Sequence, residues 1–196
     1  MNFLAHLYLS GADKERLIGN FIADAVKGSS HADYPKAIQN GILLHRAIDS
    51  YTDTHPTVRI SKNRLNKRYN HYSGVIIDIL YDHFLARNWD QYSDIPLDVY
   101  AETVYDLLEK NATDFPERIQ RLLPYMIKYN WLVNYATIEG IERILQGMNR
   151  RTNGVSKMDQ AVNDLRMNYN ELESDFMSFF DEIKEFCTQK INNLES

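Results

Sequence analysis

Residues 73–88, "SGVIIDILYDHFLARN", constrain the fold more than any other stretch. From Val75 to Leu85 the only charged or imidazole groups are Asp78, Asp82 and His83, and every other residue is Val, Ile, Leu, Tyr or Phe. A helix that is apolar all round is an interior helix. A lone carboxylate inside it costs several kcal/mol unless it protonates or meets a partner. Asp78 and Asp82 share a face four residues apart, and His83 sits about 100° around the helix, close enough to lean toward the same centre. The stretch therefore demands helical neighbours and a reason for its buried acids.

The rest of the chain supplies the helices. Apolar residues recur in steps of three and four over 14–27, 35–53, 97–110, 116–129 and 137–148. A basic segment fits 57–70. A long stripe runs near 155–192 through Leu165, Tyr169, Leu172, Phe176, Phe179, Ile183 and Phe186. Gly28 and His55-Pro56 punctuate the early helices. No stretch alternates with period two for long enough to be a strand. The pattern predicts an all-α, single-domain helical bundle over 1–196, with the chemistry in 1–90 and scaffold helices in 91–196.

Charge and histidine placement locate that chemistry. The net charge of −5 gives no reason to expect nucleic acid as a partner. Residues 1–83 carry ten Lys/Arg and eight Asp/Glu, whereas the remainder carries twelve and nineteen. All six histidines fall within the first 83 residues, where random placement would put fewer than half. One cysteine, Cys187, cannot form an internal disulfide. Together with the lack of a signal-peptide pattern or an 18-residue apolar run, it predicts a cytoplasmic protein that does not enter a membrane.

The segment "LLHRAIDSYTDTHP" places His45, Asp49 and Asp53 four residues apart, on the face that carries Ile38 and Ile42 two turns earlier. "GNFIADAVKG" adds Asp24 behind Phe21 and Ile22. Each residue has an ordinary alternative. Asp49 could pair with Arg46, His45 and His6 could be packed core histidines, and Asp53 and His55 could be turn residues before Pro56. The set is stronger than its members. Acids and imidazoles from three helices aimed into one core repel or stay desolvated unless a cation joins them. Asp24, His45, Asp49, Asp78, Asp82 and His83 are the candidate ligands, and mixed oxygen and nitrogen donors suit Mn, Fe, Mg or Zn.

The blocks "MNFLAHLYLS", "GNFIADAVKG", "GILLHRAIDSYTDTHP" and "YSGVIIDILYDHFLARNW" resemble the acyl carrier protein phosphodiesterases, a distant branch of the HD-domain metal-dependent phosphohydrolases. The resemblance covers most of the chain and continues, more weakly, in "WLVNYATIEGIERIL" and "FMSFF". It implies an HD-domain-like helical fold and a divalent metal, usually Mn2+, with Mg2+ or Fe2+ as alternatives. It also implies hydrolysis of the phosphodiester joining 4′-phosphopantetheine to a serine of holo-acyl carrier protein. One departure is plain: HD enzymes are named for adjacent His-Asp, whereas the adjacent pair here is Asp82-His83.

A mechanism follows as an expectation. Asp24, His45, Asp82 and His83 bind the metal, with Asp49 or Asp78 assisting. His55 or His6 protonates the leaving serine, Arg46 holds a phosphate oxygen, and Asp53 lies nearby. The run "RISKNRLNKRY" carries Arg59, Lys62, Arg64, Lys67 and Arg68 with no acid. It would steer an acidic carrier protein, or be only a solvated face. Two other classes remain open: an HD-type nucleotide hydrolase acting on a guanosine bis-diphosphate, and a non-hydrolytic metal protein of the di-iron kind. The latter is disfavoured because Glu15 is the only Glu before residue 100 and no Glu-x-x-His occurs.

Overall fold

The central helix is where the sequence puts it. In the computed structural model, which describes residues 1–65 and 68–196, α5 (Ser73–Arg87) is nearly all interior. Ile76, Ile77, Ile79, Leu80, Tyr81, Phe84 and Leu85 are fully buried. On the N-terminal side α1 (Phe3–Leu9) and α4 (Pro56–Tyr69) pack against it, with α2 (Lys14–Ile22) on α1 and α3 (Lys36–Thr54) on α4 and α2. The remaining helices are α6 (Leu97–Lys110), α7 (Glu117–Lys128), α8 (Trp131–Asn134), α9 (Ile138–Arg151), α10 (Ala161–Met167) and α11 (Tyr169–Glu195). Short 3-10 turns join several of them, and there is no strand among the described residues. One continuous apolar core runs from Met1 to Cys187. Among the described residues no helix is long and apolar enough to cross a membrane.

Two local features differ from expectation. The stripe near 155–192 is two helices, broken at Asn168, whose backbone leaves the helical region and whose side-chain amide donates to the Asp164 carbonyl at 2.9 Å. The apolar phase continues across the break, with Leu165, Leu172, Phe176, Phe179 and Ile183 all fully buried, so periodicity alone could not reveal it. Likewise, the helix over 14–27 ends at Ile22 and continues as a 3-10 turn, Ala23–Ala25, which carries Asp24.

Two contacts position everything that follows. The first is the crossing of α2 and α3, where backbone meets backbone. A Cβ on Gly19 would lie 2.1 Å from the Ile38 carbonyl oxygen, and one on Gly41 would lie 2.1 Å from that of Arg16. Only glycine permits this approach. The second joins α5 to α1. The Asp82 carboxylate accepts from the amides of Asn2 at 3.2 Å, Leu4 at 2.7 Å and Ala5 at 3.3 Å. The first turn of any helix leaves such donors without intrahelical partners, and its positive dipole end favours an acid. Burial, partly countered by the Met1 ammonium and these amides, raises the Asp82 carboxyl to about 7.

Candidate metal centre

Three helices converge on a cleft of about 240 Å³, lined by His6, Asn20, Asp24, His45, Asp49, Thr52, Asp53 and Asp78 among others. That is room for a phosphate group and several waters, each water occupying about 30 Å³. α1 brings His6, α2 and its 3-10 extension bring Asn20 and Asp24, and α3 brings His45, Asp49 and Thr52 along one face.

The two imidazoles stack with centroids 4.0 Å apart and planes 19° from parallel. His6 Nε2 lies 3.2 Å from Asp49 Oδ1, and His45 Nε2 lies 3.2 Å from Asp49 Oδ2 and 3.3 Å from Asp24 Oδ1. Both Nδ1 atoms lie 2.9 Å from the Asn20 side-chain oxygen. Electrostatics separates the pair. Burial, with the neighbouring His45, lowers His6 to about 4. Burial also opposes charge on His45, but its bonds to Asp24 and Asp49 prevail and raise it to about 9. Desolvation works against the Asp49 anion too, yet His45 and His6 hold its carboxyl far below the usual range. His45 keeps Asp24, at the exposed rim, below its ordinary value.

Does this donor set fit a divalent cation? One ligating atom each from His6, His45 and Asp49 lie within 4.8 Å of one another, the only such group among the described residues. The histidines are largely buried, and the carboxylate is half open to the cleft. Two imidazole nitrogens and a carboxylate oxygen form a mixed nitrogen–oxygen set that borderline and hard cations accept, and ligands 2.0–2.2 Å from an ion span about this range. The residues fit.

The structure thus gathers Asp24, His45 and Asp49 from the expected ligands and adds His6. Asp78 lines the same cleft, but its Oδ1 is occupied by the Met1 α-amino group at 2.9 Å; burial raises its carboxyl despite that ammonium. Asp82 and His83 stay out. The Asp82 oxygens are taken by the α1 amides. His83 Nδ1 lies 2.7 Å from the Tyr135 carbonyl and Nε2 lies 3.0 Å from the Tyr169 hydroxyl, so both nitrogens are spent in the core. The adjacent Asp82-His83 pair is thus engaged with α1, Tyr135 and Tyr169, and the His-Asp pair that meets in the cleft is His45 with Asp49, one turn apart.

The expected catalytic residues divide similarly. His6 and Asp53 line the cleft. His55 faces away: its Nδ1 accepts from the Thr57 amide at the start of α4, and its Nε2 meets Glu182 of α11 at 3.2 Å. Arg46 does not reach the cleft either. Its Nη2 donates to the Val26 carbonyl at 3.0 Å, tethering the segment that follows Asp24. Of the basic run, Lys62 pairs with Asp53 at the cleft edge at 2.8 Å, Arg64 with Asp175 at 3.4 Å and Arg68 with Asp164 at 3.2 Å. Arg59 is exposed, and Lys67 lies outside the described residues. Two cleft residues escaped the sequence reading. Asn20 is fully buried under both imidazoles, and the buried Thr52 hydroxyl has no hydrogen-bond partner among the described residues.

Fold and site define a class: an all-α protein whose open cleft gathers two imidazoles and a carboxylate as a cation-binding donor set. Comparison with known sequences narrows it. The acyl carrier protein phosphodiesterase profile matches residues 1–183, and the chain belongs to that family. It is 34% identical over 181 residues to the acyl carrier protein phosphodiesterase of Yersinia pestis, covering 92% of this chain and 94% of that one. It is 32% identical over 191 residues to that of Klebsiella pneumoniae strain 342, covering 97% and 99%. No solved structure matches it.

Proposed function

We propose that this chain is a metal-dependent phosphodiesterase that releases 4′-phosphopantetheine from the serine of holo-acyl carrier protein. The observation that carries the reading is the convergence of His6 Nε2, His45 Nε2 and Asp49 on one point of an open cleft, in a chain of that family. Those three residues would hold the cation, Mn2+ first, with Mg2+ or Fe2+ as alternatives. Bound there, it would supply an acidified water and positive charge beside the phosphoryl oxygens. Asp24, held anionic by His45, and the exposed Asp53, paired with Lys62, stand on the cleft's lining as further acceptors. Phe3 and Phe21, whose rings lie 5.9 Å apart, add an apolar part to the cleft's lining.

The carrier protein would dock along α4, where Lys62 reaches Asp53 at the cleft edge and the exposed Arg59 adds positive charge that attracts an acidic partner. A single, buried cysteine supports placement in a reducing cytoplasm.

The test is conversion of holo- to apo-carrier protein on a gel, with Mn2+ or chelator, and with a guanosine bis-diphosphate as a parallel substrate. Conversion should need Mn2+ and vanish in Asp49→Ala and His45→Ala. Undiminished conversion in chelator would overturn the metal, and hydrolysis of the nucleotide alone would overturn the substrate. Arg59→Glu with Lys62→Glu should raise KM for the carrier protein and flatten its salt dependence; an unchanged KM removes the docking surface.

A further inference from the structure

Asn20 makes four hydrogen-bond contacts and is fully buried. Its Nδ2 donates to the His6 carbonyl at 2.9 Å and to Ser10 Oγ at 2.9 Å. Ser10 Oγ in turn donates to the same His6 carbonyl at 2.8 Å. These bonds fix which way the carboxamide points. Turning it over would press its oxygen against a carbonyl oxygen, because a backbone carbonyl can only accept. The side-chain oxygen therefore faces both imidazole Nδ1 atoms, each 2.9 Å away, and an oxygen there can only accept.

We propose that Asn20 is the positioning residue of this cleft, whose one carboxamide oxygen accepts from Nδ1–H of both His6 and His45 and so turns both Nε2 atoms toward the place a cation would take. The proposal deepens the metal reading above and rests on it.

The need for such a residue comes from the carboxylates. Asp49 and Asp24 lie 3.2–3.3 Å from the two Nε2 atoms. Left alone, each acid would draw the imidazole proton to Nε2 and make the ring its donor. A ring protonated at Nε2 cannot bind a metal through that atom. Asn20 opposes this at the far nitrogen of both rings at once. The backing of a ligating histidine by an acceptor at its other nitrogen is a general device. Here one group serves two ligands, so the stacked imidazoles act as a unit. The anchorage continues outward: Arg16 Nε donates to the Ser10 carbonyl at 2.7 Å, and Arg16 itself is buried. Asn20 is also the residue after Gly19, so the backbone crossing of α2 and α3 sets its distance from His45.

The tautomer can be read directly in the metal-free protein by long-range 15N–1H correlation of the imidazoles. In wild type the neutral His6 ring should carry its proton on Nδ1. Finding it on Nε2 overturns the proposal without any variant. Asn20→Leu removes the acceptor at similar volume and should move that proton to Nε2. Zn2+ or Mn2+ affinity, measured by calorimetry, should fall about 10–100-fold, the range for loss of an outer partner. Asn20→Asp, which keeps an acceptor facing both rings although it loses the donor to the His6 carbonyl, should retain the Nδ1–H tautomer of His6 and bind metal more tightly than Asn20→Leu. If wild type binds neither ion, the metal reading fails and takes this one with it. If wild type binds and Asn20→Leu binds equally well, only the role of Asn20 fails.

Discussion

Replacing Asp82 by Ala separates two readings of a buried acid. As a metal ligand, its loss would weaken metal binding and leave the metal-free protein largely intact. As the acceptor at the start of α1, its loss strands the amides of Asn2, Leu4 and Ala5, the last two in bonds that are fully buried. A buried donor left unmade costs about 1–3 kcal/mol. Burial already holds the Asp82 carboxyl at about 7, so removing it also relieves a desolvation cost. The balance is about 3 kcal/mol of lost stability. For a chain of this size that is a Tm lower by about 6–12 °C. The assay is thermal unfolding in chelator, for wild type, Asp82→Ala and Asp49→Ala. Metal affinity should also weaken in Asp82→Ala, because a frayed α1 carries His6 away from Asp49. A chelator Tm within about 2 °C of wild type, less than 1 kcal/mol on the same scale, combined with lost metal binding, would refute the structural assignment.

Gly41→Ala drives a methyl to 2.1 Å from the Arg16 carbonyl oxygen; it should cost about 3 kcal/mol or more in urea unfolding, and a loss under about 1 kcal/mol would show that the helices can separate freely. His55→Gln should keep kcat and lose only stability, since His55 binds the α4 start and Glu182; a large fall in kcat would return it to the catalytic set. The pH response of the chelated protein follows from His45. Its folded value, about 9, lies above the unfolded 6.5, so its pairing with Asp24 and Asp49 stabilises fully below about pH 6.5 and is lost as pH rises through about 9. Between pH 7 and 10 wild-type Tm should fall more than that of His45→Gln, and parallel curves would contradict the pairing.

What could be read from the sequence depended on whether a signal lay within one helix or between helices. The period of three and four named most elements and the apolar α5, and it put His45 and Asp49 on one face, because both facts belong to single segments. Asp82 and Asp49 looked alike, since an acid among apolar residues signals only that a partner exists. That one partner is a helix start and the other a pair of imidazoles is decided by packing. α1 is seven residues long, too short for a periodic signature, so His6 stood as an isolated histidine. Asn20 carries no charge and marks no pattern; its signal is that a polar residue follows a glycine in the apolar second half of α2, LIGNFI. Gly19 and Gly41 read as weak helix formers, although together they bring two of the three site-bearing helices into register.

That crossing has an engineering consequence. Two helices in peptide-to-peptide contact have no intervening layer of side chains that could repack. The spacing between Asn20 and His45 is then a property of the main chain and should survive changes elsewhere in the interior. Thermostability could be raised through the α6–α11 half without retuning the cleft, whereas even one methyl added at the crossing would detune it.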